Sequence, residues 1–161
     1  MKALHGSKAW ILALAAALLL AACAGGKVRR VSEPAASIQQ LVVQADGNWS
    51  VQLRIENFSS IPMRFEGFTL PLVLGGEAAG TLQGTPGISI GPESADVVTF
   101  AHAPSSAARI ALADALAGNR GIGYTFEGTL RATPEDKRQR EWTIKRASTL
   151  SPVPGLPGAL R

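Results

Sequence analysis

The chain has 161 residues, a formal net charge of +4, 46% hydrophobic and 17% charged residues, and a single cysteine. That length supports one domain with a sizeable core and excludes two comfortable ones, and a lone cysteine excludes any intrachain disulfide, so the fold must stand on packing. The apolar content excludes a disordered chain, and the sparse, scattered charges mark no nucleic-acid-binding surface.

In chain order, the first feature is an N-terminal segment with Lys2 and Lys8 at its head and an apolar run from Ala9 to Ala22. A charged head, a short apolar stretch and small residues before a cut site make a secretory signal. The run falls short of the ~20 residues that span a bilayer. Leu20-Ala21-Ala22-Cys23 resembles the lipobox of bacterial lipoproteins. That resemblance implies that Cys23 becomes the acylated N-terminus and holds the protein to a membrane. Ala24, which is not aspartate, implies sorting to the outer membrane, facing the periplasm. Residues 1–22 are thus expected to leave as a signal peptide, and 23–36, with Gly25-Gly26 and Pro34, to form a lipidated tether. Lys2 and Lys8 leave with the signal, so the mature net charge is about +2.

Residues 37–149 carry the pattern of an all-β domain. Ile38 to Gln44 is a strand, Asp46-Gly47 a hairpin turn, and Trp49, Val51, Leu53 and Ile55 alternate with polar residues on a half-buried strand. A long strand from Met63 to Leu74 changes phase at Glu66-Gly67, which predicts a β-bulge. Gly75-Gly76 turns the chain, and Ala78 to Leu82 returns. Ala95 to Ala101, Gly123 to Ala132 and Arg140 to Ala147 complete about seven strands. The one helical candidate is Ser106 to Ala117, capped by Ser105 or Ser106 and ended by Gly118 in a left-handed turn. Its expected apolar face is Ile110, Ala113, Leu116 and Ala117, covering a sheet edge or an open end. The strand spacing predicts an immunoglobulin- or fibronectin III-like antiparallel β-sandwich with one short helix. Residues 150–161, with Pro152, Pro154 and Pro157 between glycines, read as a flexible tail.

The run Val51 to Asn57, the segment Ile61-Pro62-Met63-Arg64-Phe65-Glu66-Gly67-Phe68 and the later Gly121 to Leu130 together resemble the late embryogenesis abundant group 2 domain, also called the WHy domain. The resemblance spans Ile38 to Ala147. This chain departs from it at Asn57-Phe58-Ser59-Ser60, where the family has Asn-Pro-Asn. The resemblance implies a β-sandwich, an association with water stress, and no enzymatic activity; bacterial members resemble small envelope lipoproteins. It points to Asn57 and Pro62, which bracket the turn, as a functional surface. The expected function is protection of membrane or proteins during desiccation. The alternative is a module of cell-envelope maintenance that binds a lipid or protein partner, between the sheets or along an edge.

Catalytic constellations are weak by comparison. Gly87-Ile88-Ser89-Ile90-Gly91 matches G-x-S-x-G, but no strand-to-helix elbow follows, and Ser89 reads as the solvent-side residue of a short strand. His102, the only histidine of the mature chain, lacks companions for a metal site and reads as a strand-end residue near the surface. Gly118, Gly121 and Gly123 lack the Lys-Ser/Thr of a phosphate loop. Glu66 and Glu127 read as outward strand residues rather than an acid–base pair. No catalytic residue, metal or cofactor is expected. Lys137-Arg138-Gln139-Arg140, with Lys145-Arg146 beyond, is the one basic concentration, set beside a Pro134-Glu135-Asp136 turn. It suits a solvated hairpin tip or attraction to anionic lipid headgroups.

Overall fold

The computed structural model describes residues 29–161, so the signal segment and Cys23 lie outside the described residues. The described chain is an all-β sandwich of two antiparallel sheets with one helix. Its elements are β1 (Ala35–Val43), β2 (Trp49–Asn57), β3 (Met63–Leu74), β4 (Glu77–Gly84), β5 (Ile88–Ile90), β6 (Ser94–His102), α1 (Ser106–Ala117), β7 (Ile122–Pro134), β8 (Arg140–Leu150) and β9 (Ala159–Leu160). One sheet has the order β6-β2-β1-β9; the other runs β4-β3-β7-β8, with β5 also paired to β3.

The alternation in β2 does what its period demands: Trp49, Val51, Leu53 and Ile55 are buried, and the residues between them are half-buried on the outer face. Across the sandwich they meet Phe65, Leu70, Leu72 and Leu74 of β3 and Phe126 and Leu130 of β7. The Tyr124 hydroxyl crosses between the sheets to accept a hydrogen bond from the Ile38 amide at 3.1 Å. The β3–β7 register slips between Phe65 and Gly67, as the phase change predicts, so that Phe65 and Phe68 both stay inside. At Gly128 the two strands come so close that a Cβ would lie 2.1 Å from the Thr69 carbonyl oxygen. Only glycine fits there.

The helix has the expected limits. Ser105 caps it, its Oγ accepting from the Ala108 amide at 3.2 Å and donating to the Ala78 carbonyl of β4 at 2.6 Å. Its buried face, however, is Ala108, Leu112 and Ala115, while Ile110 is 70% exposed. Six alanines spread around so short a helix make either face nearly as apolar as the other, and contact with β4 chooses between them. Gly118 has φ −83° and is not left-handed; that role falls to Asn119, at φ +48°.

Both chain ends correct the sequence expectation. The tail at 150–161 is not free: β9 pairs antiparallel to β1, with Leu160 opposite Leu41 and fully buried. Ser151 and Arg161 exchange backbone hydrogen bonds, closing the intervening prolines into a loop. The reason is apolar burial on an otherwise open strand edge. The tether is likewise shorter than 23–36, because β1 begins at Ala35 and Arg30 is already bonded to the domain.

Candidate functional site: the 57–62 turn and its end of the sandwich

β2 ends at Asn57, and the chain must reverse from one sheet to the other before Met63. Asn57 itself makes that crossing. It is fully buried, and its Nδ2 donates toward the carbonyls of Ile61 (2.9 Å), Ile90 (3.1 Å) and Gly91 (2.8 Å). Its Oδ1 accepts from the Ser59 amide at 2.9 Å. An asparagine folded onto the backbone two residues ahead is an Asx turn; here the same amide also ties down β5 and the loop after it. These bonds hold the turn without a proline inside it, and Ser59 adds to them. That hydroxyl, also fully buried, accepts from the Ser32 amide at 2.9 Å.

The incoming chain lies against this turn as a strap. The Arg30 amide donates to Ser60 Oγ at 2.8 Å, the Ser60 amide donates to the Arg30 carbonyl at 3.0 Å, and the Arg30 guanidinium reaches the Phe58 carbonyl at 3.2 Å and Glu93 at 3.3 Å. Arg29 reaches across to Glu135 at 2.9 Å and Asp136 at 3.1 Å on the β7–β8 hairpin. Pro62 is half-buried, and its carbonyl accepts from the Glu135 amide at 3.0 Å. Of the two turn residues singled out from sequence, Asn57 is therefore a buried post with no surface to offer. The accessible groups are Phe58, 48% exposed, and the arginines. Sequence reading missed the strap because Arg29 and Arg30 look like tether. The available signal was the pair of hydroxyls, Ser59 and Ser60, two and three residues after an asparagine.

The other candidates do not converge. Ser89 is exposed on β5, which pairs with Met63 to Phe65. His102 pairs with Trp49, at the opposite end of β2 from the 57–62 turn, so the two are held at opposite ends of the sandwich. His102 is moreover buried, contrary to the expected surface position: its Nε2 lies 2.6 Å from the Ala79 carbonyl, and its ring packs on Trp49. The neighbouring β4 edge covers it. Glu66 accepts from Thr133 and Gln139, both at 2.8 Å, whereas Glu127 pairs with Lys145 at 2.7 Å. Several residues of β7 separate them, about 13 Å or more at strand spacing. Gly118 to Gly123 form the helix exit and the start of β7. Among the described residues no group of three His, Cys, Asp or Glu is placed to hold a metal, and no helix is long and apolar enough to cross a membrane.

Concavities lie on the outside. One of about 460 Å³ sits on the outer face of the β3-β7-β8 sheet, around Pro71, Val73, Thr125 and the Glu127–Lys145 pair. Another, about 280 Å³, lies beside the turn, between Arg30, Arg54, Phe58 and Glu93. The facing inner surfaces of the sheets are filled by the core side chains.

No protein-family model matches the chain, and no curated protein matches it. Solved structures similar to it include a protein from Archaeoglobus fulgidus, 12% identical, with 77% of this chain and 98% of that one covered and a TM-score of 0.45. A Northeast Structural Genomics Consortium target, SoR45, is 14% identical over 79% of this chain and 92% of its own, with a TM-score of 0.48. The solution structure of AT1g01470 from Arabidopsis thaliana is 11% identical, covering 80% of this chain and 84% of that chain, with a TM-score of 0.49.

Proposed function

We propose that this protein is a non-catalytic lipoprotein of the cell envelope, anchored through Cys23, whose WHy-like sandwich protects membrane or proteins during water loss. The observation that carries the reading is Leu20-Ala21-Ala22-Cys23 at the end of a signal-like segment, a few residues ahead of a folded domain. Support for a structural rather than catalytic role comes from the polar groups that might have done chemistry. Asn57, Ser59 and His102 are all buried and engaged by backbone groups.

The test is the mass of the N-terminal peptide of the membrane-extracted protein. A cysteine carrying diacylglycerol and an N-acyl chain is expected, and Cys23→Ala should abolish that mass. An unmodified, uncleaved N-terminus refutes the anchor. Survival of drying by a deletion strain, against one carrying the intact gene, tests protection; equal survival refutes it.

The alternative, a lipid- or protein-binding module in envelope maintenance, is favoured by the exposed Phe58 and Val73. With the interior filled, such a ligand would bind on an outer surface rather than between the sheets. Native mass spectrometry of the purified protein separates the readings, because a stoichiometric adduct supports binding.

A further inference from the structure

The end of the sandwich where the tether arrives differs from the rest of the surface. Three turns converge there: residues 57–62, 91–93 and 135–139. The Glu93 amide donates to the Ser59 carbonyl and the Glu135 amide to the Pro62 carbonyl, both at 3.0 Å, so the three form one platform. Arg29 and Arg30 are bonded to this platform rather than hanging from it. Only six residue steps separate Cys23 from Arg29, a span of at most about 20 Å.

On the platform, Phe58 is 48% exposed while Asn57, Ser59 and Ile61 around it are buried. Its charges are sorted. Glu135 and Asp136 are held by Arg29, Glu93 is held by Arg30, and Glu66 accepts from Thr133 and Gln139. Lys137 and Arg138, at the tip of the β7–β8 hairpin, are exposed and form no ion pair among the described residues. An exposed aromatic ring and unpaired cations on turns of the same end of the sandwich, the end nearest a lipid anchor, have the chemistry of an interfacial contact.

We propose that this end of the domain docks on an anionic bilayer surface, with Phe58 entering the headgroup layer and Lys137 and Arg138 meeting lipid phosphates. The contact orients the domain rather than holding it, since a short tether makes even weak docking effectively intramolecular. The opposite end, with the β1–β2 and β3–β4 hairpins, then stands away from the membrane by the length of a nine-residue strand, roughly 30 Å. The proposal rests on the Cys23 anchor for its distance limit, and on the platform alone for its chemistry.

Phe58→Trp in the full chain keeps the aromatic group and, read as the difference in emission from the parent protein with its own tryptophans, makes it a reporter. Vesicles with brominated acyl chains should quench and blue-shift its emission when they contain phosphatidylglycerol, and much less when they are pure phosphatidylcholine. Ala45→Trp, on the opposite hairpin, should show neither change. Adding Lys137→Glu and Arg138→Glu to Phe58→Trp should weaken the phosphatidylglycerol dependence by at least about fivefold at each position, since each reversal removes a cation and adds a repelled anion. Quenching at Phe58→Trp no greater than at Ala45→Trp, or untouched by the charge reversals, overturns the proposal. The anchor is judged separately by the mass of the N-terminal peptide. An unmodified Cys23 with platform quenching intact would remove the anchor and leave the docking surface standing.

Discussion

Replacing Asn57 with alanine should cost about 3–5 kcal/mol of stability, a large share of the 5–15 kcal/mol that holds a domain of this size together. The side chain is fully buried and serves three carbonyl oxygens and one amide. Alanine removes both donors and the acceptor at once. Each lost bond is worth about 1 kcal/mol, and each buried group left without a partner adds a further penalty of about 1–3 kcal/mol where water cannot replace it. Partial access of water near Gly91 brings the sum back to the stated range. Urea unfolding of wild type and variant gives the difference directly, provided the two slopes agree; the melting temperature should fall by about 10–20 °C. Asn57→Asp sharpens the test. It keeps the bond from the Ser59 amide but turns an acid toward three carbonyls, which favours the protonated form. The folded variant therefore holds its proton to higher pH than the unfolded chain. Its stability should be greatest at low pH and decline as pH rises through the carboxylate range. A loss below about 1 kcal/mol for Asn57→Ala, or no pH trend for Asn57→Asp, would refute the claim that this amide carries the turn.

Gly128→Ala should destabilise by about 3 kcal/mol or more in the same assay, because the new methyl meets the β3 backbone at Thr69 rather than a movable side chain. Gly76→Ala, with nothing within 4 Å but φ +87°, should lose only about 1–2 kcal/mol. Leu160→Ala should cost about 2–4 kcal/mol, since Leu160 is fully buried against β1; a loss under 0.5 kcal/mol would mean that the tail does not close the sheet. Ser89→Ala should leave stability within about 0.5 kcal/mol, as expected of an exposed side chain without a polar partner among the described residues. Neutralising Glu127 or Lys145, a pair with side chains 61% and 67% exposed, should change stability by no more than about 1 kcal/mol, with the effect shrinking in high salt.

What the sequence determined by itself was local. Alternation in Trp49 to Ile55 reports a strand because the pleat has a period of two, wherever that strand ends up. The phase slip at Glu66-Gly67 reports a bulge for the same reason, and Ser105 and Gly118 mark the ends of a helix through backbone groups that any helix must satisfy. Seven strands of that kind, with one cysteine and no catalytic cluster in view, left an all-β sandwich as the natural reading.

The tertiary structure decided everything that depends on a distant partner. Two residues at the end of a proline-rich tail are too few to show a period, so only the open edge of β1 makes β9 a strand. The alanine-rich helix had no preferred face until β4 supplied one. His102 sits at a strand end in sequence but under the Ala79 edge in space, and Gly128 is an ordinary glycine until β3 presses against it. The candidate site follows the same division. The turn was legible because asparagine and proline punctuate the chain, but which of its residues face water was not. Asn57 turned inward because three carbonyls, one in its own turn and two at the end of β5, needed its donors, and that left Phe58 and the arginines on the surface. Periodicity records how a segment is built; burial depends on what covers it, and the covering residues lie elsewhere in the chain.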